Sequence, residues 1–130
     1  MINKVILVGN LGDAPETGET KAGQRFAKLS VATNKRWTDK ATGEKRERAS
    51  WHRVVVWGND MANAAAALAK GARVYVEGEL DTRKFQARDG RDQWVTEIVV
   101  QGYAGRVFGV TGGGGGGVPD PAAPPDDYRG

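Results

Sequence analysis

The sequence predicts an all-β fold: a five-stranded Greek-key OB-fold barrel with one short helix over 1–110, followed by a disordered Gly/Pro-rich tail over 111–130. Three observations predict it. Five segments carry strand patterning, one alanine-rich segment after the third carries helix patterning, and the composition breaks at Thr111. A ferredoxin-like alternative needs a second helix, and no segment supplies one.

The first strand is expected over residues 4–11, with apolar side chains on both faces. Over 25–34 the pattern alternates, Ala27, Leu29 and Val31 to one side against Lys28 and Ser30 to the other. The third strand spans 50–58 (SWHRVVVWG), the fourth 72–80 (ARVYVEGEL) and the fifth 93–101 (QWVTEIVVQ). Asp60 is placed to cap the helix, MANAAAALAK is rich in the best helix former, and Gly71 can close it in the left-handed conformation. Asp89-Gly90 signals a two-residue hairpin turn. Thr42-Gly43 signals a weaker one within a polar stretch. Beyond Thr111 come six glycines, Gly112 to Gly117, and a Pro/Ala/Asp-rich end with nothing to bury.

Composition bounds the function. The 130 residues are 39% hydrophobic and 27% charged, ordinary for one soluble domain. The longest apolar run near the start is Val5 to Val8, too short for a signal peptide or a membrane span, and the lack of cysteine fits an expected cytoplasmic location. With no cysteine and one histidine, neither a disulfide framework nor a zinc site of usual composition can form. The acids are scattered among bases, which disfavours metal-dependent nuclease chemistry. Gly9-Asn10-Leu11-Gly12 lacks the Lys-Ser/Thr and helix of a phosphate-cradling loop. No catalytic residue, metal or cofactor is therefore expected, and the chain reads as a non-enzyme. Net charge is +3; setting aside Asp120, Asp126, Asp127 and Arg129 leaves 18 basic and 13 acidic residues over 1–110. That excess suits a polyanionic partner.

Aromatics and cations supply the chemistry. Strand alternation puts Trp51, Arg53, Val55 and Trp57 on one face and His52, Val54 and Val56 on the other. The second face suits a barrel interior, and a lone histidine there reads as structural. The first combines indoles that can stack on any base with a guanidinium that is hard to bury unpartnered. A Thr42-Gly43 turn places Trp37 across from Arg48, in a segment carrying Lys35, Arg36, Lys40, Lys45, Arg46 and Arg48. A charged, solvated hairpin is the plainer reading of that segment, and Asp39, Glu44 and Glu47 support it. An Asp89-Gly90 turn pairs Phe85 directly with Trp94, ringed by Arg83, Lys84, Arg88 and Arg91. We take Phe85 as the base-facing ring and Trp94 as its support.

NKVILVGNLG, TDKATGE, WHRVVVWG, KGARVYVEGEL and TRKF together resemble the bacterial single-stranded DNA-binding proteins, in that family's order and spacing over roughly 1–105. The resemblance implies an OB fold assembled as a homotetramer that wraps single-stranded DNA without sequence preference in replication, recombination and repair. It implies stacking by Trp37, Trp51, Trp57 and Phe85. It implies phosphate contacts by Lys4, Lys40, Arg46, Arg53, Lys70, Arg83 and Lys84, with His52 near a subunit contact. Asp81 departs from the pattern and should repel phosphate. Family tails that recruit replication and repair proteins close with Ile-Pro-Phe; this sequence has Asp126-Asp127-Tyr128-Arg129-Gly130, so such recruitment is not expected of it. The competing reading is a protein-interaction OB module, a replisome or primosome adaptor, whose aromatic face meets protein.

Overall fold

A computed structural model describes residues 1–110, and the expected tail lies outside the described residues. The strands are β1 (Val5–Leu11), β2 (Glu16–Glu19), β3 (Arg25–Thr38), β4 (Lys45–Trp57), β5 (Arg73–Gln86), β6 (Asp92–Val100) and β7 (Arg106–Gly109). Helix α1 (Asn59–Ala66) lies between β4 and β5. The ladder order is β1-β3-β4-β6-β5-β7, and β1 also pairs with β5. That last pairing closes a barrel of five strands, β1-β3-β4-β6-β5, as the sequence predicts. Closure leaves no long open edge among those five except along β1, whose pairing with β3 is confined to Asn10↔Ala32 and Leu11↔Val31.

The core follows from strand alternation. Ala27, Leu29 and Val31 point inward while Lys28 and Ser30 are exposed. Val54 and Val56 of β4, Val74 and Val76 of β5 and Val100 of β6 join Val31 as fully buried side chains. β-Branched residues fit this pleated, stiff interior. Helix α1 contributes Ala62 and Ala65 to the same cluster, their small side chains letting the helix sit close to the strands.

Five expectations are corrected. Two short strands, β2 and β7, join the barrel; four residues each carry too little patterning to read. The helix cap is Gly58, with no side-chain cap, and Asp60 sits in the first turn, where the helix dipole favours its charge. The helix also stops at Ala66. Gly71, at φ 83°, instead turns the chain into β5 and donates its amide to the Leu11 carbonyl at 2.9 Å.

The first hairpin turns over Lys40–Gly43, closed by the Asp39 amide donating to the Glu44 carbonyl at 2.8 Å. The Asp39 carboxylate accepts from the Ala41 and Thr42 amides, at 2.8 and 3.3 Å. Trp37 therefore pairs with Arg46, not Arg48. A slip of two residues preserves every facing. The second hairpin turns over Arg88-Asp89-Gly90, with the Ala87 amide donating to the Arg91 carbonyl and the Gly90 amide to the Ala87 carbonyl, both at 2.9 Å. Gly90 takes the left-handed residue of this three-residue loop at φ 84°. Phe85 consequently pairs with Gln93, and Trp94 with Lys84. A one-residue slip sends side chains to opposite faces, so Phe85 and Trp94 do not form the expected pair.

Candidate nucleic-acid interface

Across the β3–β4 ladder, Trp57 lies beside Phe26, Val55 beside Lys28, Arg53 beside Ser30 and Trp51 beside Ala32. The parallel β4–β6 ladder sets Val55 beside Val99, and β6 sets Val99 beside Glu79 of β5. Counting in twos along β5 from Glu79 reaches Asp81, Arg83 and Phe85. One outward face thus carries Trp51, Arg53, Trp57, Arg83 and Phe85 of the expected set. It also carries Phe26 and Lys28, which the sequence reading did not single out. Alternation in 25–34 placed Lys28 outward; only the register could place it beside Val55.

Each ring has a distinct seat. Trp51 is 61% exposed, and its indole lies on the turn after β1: a Cβ built on Gly12 would stand 2.4 Å from its Cζ3. Glycine is what allows the ring to rest on backbone there. Trp57 is half-buried and tilts against Phe26, centroids 5.3 Å apart and planes at 53°. Phe26 covers Gly18 of β2, and the Lys28 ammonium sits 5.7 Å from its centroid. Phe85 is 38% exposed with the Arg83 guanidinium 6.0 Å from its ring. Trp37 is half-buried on the opposite face of the β3–β4 ribbon, together with its partner Arg46. The structure therefore brings Trp51, Trp57 and Phe85 to one face and does not bring Trp37 there.

The cations divide by pairing. Arg53 is exposed and makes no hydrogen bond or ion pair among the described residues. Lys40 is exposed in the first hairpin loop. Lys4 pairs with Glu77 at 2.8 Å, Lys70 with Asp13 at 3.9 Å and Lys84 with Asp92 at 3.0 Å. Arg46 meets Asp39 and Glu44, both at 3.4 Å. Arg83 donates through Nε to Glu97 at 3.0 Å, and that carboxylate holds its guanidinium above its ordinary pKa. The exposed pairs of Arg46, Lys70 and Lys84 contribute only about 0–1 kcal/mol each, so phosphate can replace those partners at low cost, whereas Arg83 and Lys4 hold the buried Glu97 and half-buried Glu77 and are tied to them more firmly. Asp81 stands directly opposite Glu97, which puts two carboxylates beside Arg83.

The β4–β6 ladder holds only from Val54↔Ile98 to Val56↔Val100. Before it the strands part, and the wedge between them is an open groove of about 370 Å³. Trp51, His52 and Arg53 form one wall and Trp94 to Ile98 the other, with Leu80 alongside. His52 Nε2 lies 2.9 Å from the Thr33 hydroxyl, which orients the ring as a structural histidine would be.

Known proteins share this sequence and this shape. Residues 2–105 match the family model described as Single-strand binding protein family. Among solved structures, an SSB from Plasmodium falciparum in complex with ssDNA superposes with a TM-score of 0.77 at 33% identity, covering 85% of this chain and 96% of that one. A deletion mutant of the single-stranded DNA binding protein from Thermus aquaticus superposes with a TM-score of 0.70 at 28% identity. That match covers 87% of this chain but only 52% of the Thermus chain.

Proposed function

Because this chain belongs to the single-strand binding protein family, we propose that its outward aromatic face binds single-stranded DNA, without sequence preference, and protects it during replication, recombination and repair. The observation that carries the reading is the union of Trp51, Trp57, Phe85, Arg53 and Arg83 on one barrel face. A similar chain from Plasmodium falciparum is solved with ssDNA on the same fold. Stacking on a flat ring contributes about 1–3 kcal/mol per base and is tolerant of sequence, because every base has a π face. Arg53, unpaired, and Arg83 meet the backbone; Lys28 adds a cation between them and the Trp57–Phe26 pair. Lys40 extends the path at the tip of the β3–β4 ribbon; Trp37 and Arg46 lie on that ribbon's other face, and Lys4, Lys70 and Lys84, each held by a carboxylate, add positive charge away from the aromatic face. The reading is of a binding protein rather than an enzyme, acting on nucleoid DNA in the cytoplasm. Nothing in the comparisons favours the protein-adaptor reading.

We also propose a homotetramer. Two features support it. Among the described residues, the side of β1 facing away from β5 has no strand partner over Val5–Gly9. The neighbouring outer sheet face exposes Ile6 at 54%, Val8 at 47% and Phe108 at 49%, the last stacked on Tyr75 at 4.8 Å. Apolar side chains grouped beside an open strand edge suit a second copy of the chain.

Competition separates the two functional readings. Labelled oligo(dT) should bind this protein and be displaced by unlabelled single strands of any sequence, but not by duplex at equal nucleotide concentration. Absence of oligo(dT) binding would favour the protein-adaptor reading, and equal competition by duplex would leave only general phosphate attraction and reject the stacking interface.

A further inference from the structure

Trp94 is the least buried tryptophan, at 68%, and the β5–β6 register turns it away from Phe85 toward the wedge between β4 and β6. It lines the same groove as Trp51, from the opposite wall. Among the described residues the close ring pairs are Phe26–Trp57 and Tyr75–Phe108, so neither groove indole is spent on another ring. Val95, Ile98 and Leu80 supply apolar lining, and the unpaired Arg53 stands on the Trp51 wall. An open slot with an indole on each wall, apolar lining and a free guanidinium beside it matches an unstacked nucleotide: a flat heteroaromatic ring attached to a phosphodiester.

We propose that Trp94 is a further base-stacking platform, and that the β4–β6 groove takes a nucleobase of the bound strand between it and Trp51. This rests on the outward-face reading above and extends it by one site. The groove is continuous with that face through Trp51 and Arg53, which belong to both. The strand therefore runs from Trp57 past Arg53 and turns at Trp51 into the wedge. The expected role of Trp94 as a mere prop for Phe85 does not survive the register: the two rings leave their ladder on opposite sides.

The test uses the full chain. Trp94→Ala should weaken oligo(dT) binding by about 5- to 150-fold, the range for losing one stacked base, while Trp94→Phe should restore most of it. A triple variant with Trp37, Trp51 and Trp57 each changed to Phe leaves Trp94 as the sole indole. Its fluorescence should be quenched by oligo(dT) and become shielded from iodide. Wild-type affinity in Trp94→Ala overturns the proposal, as does unchanged Trp94 emission in a triple variant that still binds. Should Trp94 already be shielded from iodide without DNA, and Trp94→Ala alter the mass in solution, the groove is a contact between copies and the proposal fails. If the unmodified protein does not bind oligo(dT), the failure lies with the outward-face reading instead.

Discussion

Trp51 rests on Gly12 so closely that any side chain there must displace it. Gly12→Ala should therefore reduce DNA affinity while leaving the melting temperature nearly unchanged. Oligonucleotide titration beside a thermal melt checks this; a folded variant with full affinity would mean the seat of Trp51 is immaterial. This contact was not legible in the sequence, because Gly12 and Trp51 lie far apart along the chain. The facing of Trp51, Arg53 and Trp57 was legible, since alternation over a single strand decides it. Trp37 was assigned to the same set by resemblance, and its half-buried place on the opposite face is decided by parity: it lies five positions, an odd step, beyond Ala32, the partner of Trp51. The cations show the same limit. Their types suggested phosphate contacts, but which of them already hold a carboxylate depends on the fold, and only Arg53 and Lys40 of the expected seven hold none among the described residues.

At the scale of elements, the five main strands and the helix were readable because each strand carries an apolar run or alternation long enough to see and the helix is an alanine-rich segment. β2 and β7 were not, at four residues each. The hairpins show why turn signals fix existence better than register. Asp-Gly can form a complete two-residue turn or end a three-residue one, and Asp89-Gly90 does the latter. That single residue decides which of Phe85 and Trp94 shares a face with Arg53. Gly90→Ala, forced to φ 84°, should cost about 1–2 kcal/mol. This lowers the melting temperature by roughly 4–8 °C per kcal/mol in a domain of this size. An unchanged melt would mean the loop relaxes to another turn. Val56→Ala, at a site with no exposed surface, should cost about 2–3 kcal/mol through lost burial and the cavity left behind. A denaturant melt measures it, and a loss under 0.5 kcal/mol would place Val56 outside the packed core.

Across the whole molecule, barrel closure sets an aromatic, cationic face on one side and an apolar face around β1, β5 and β7 on another. The second face was not visible as a unit in the sequence, which could show apolar residues on both sides of β1 but not what flanked them. It carries the Lys4–Glu77–Tyr75 cluster. Hydrogen bonds from Lys4 and Tyr75 hold the Glu77 carboxyl below its ordinary pKa of 4.5, and the bond to Glu77 raises the Tyr75 phenol above 10.0. The Glu77 contribution to stability is thus present above its unfolded value and fades as pH falls through the lower folded one; the Tyr75 contribution fades as pH rises through its raised value. Glu77→Gln should flatten the acid limb of stability against pH, and an unaltered limb would show that the cluster does not couple to folding. The face opposite carries the central claim, which is that flat rings hold bases while guanidinium and ammonium groups hold phosphate. Oligo(dT) affinity measured against salt for the native chain, Trp51→Ala and Arg53→Ala tests it most directly. Losing the indole should lower the line by about 1–3 kcal/mol without tilting it, and losing the guanidinium should make the slope shallower by about 0.7. Three superimposable lines would contradict the account.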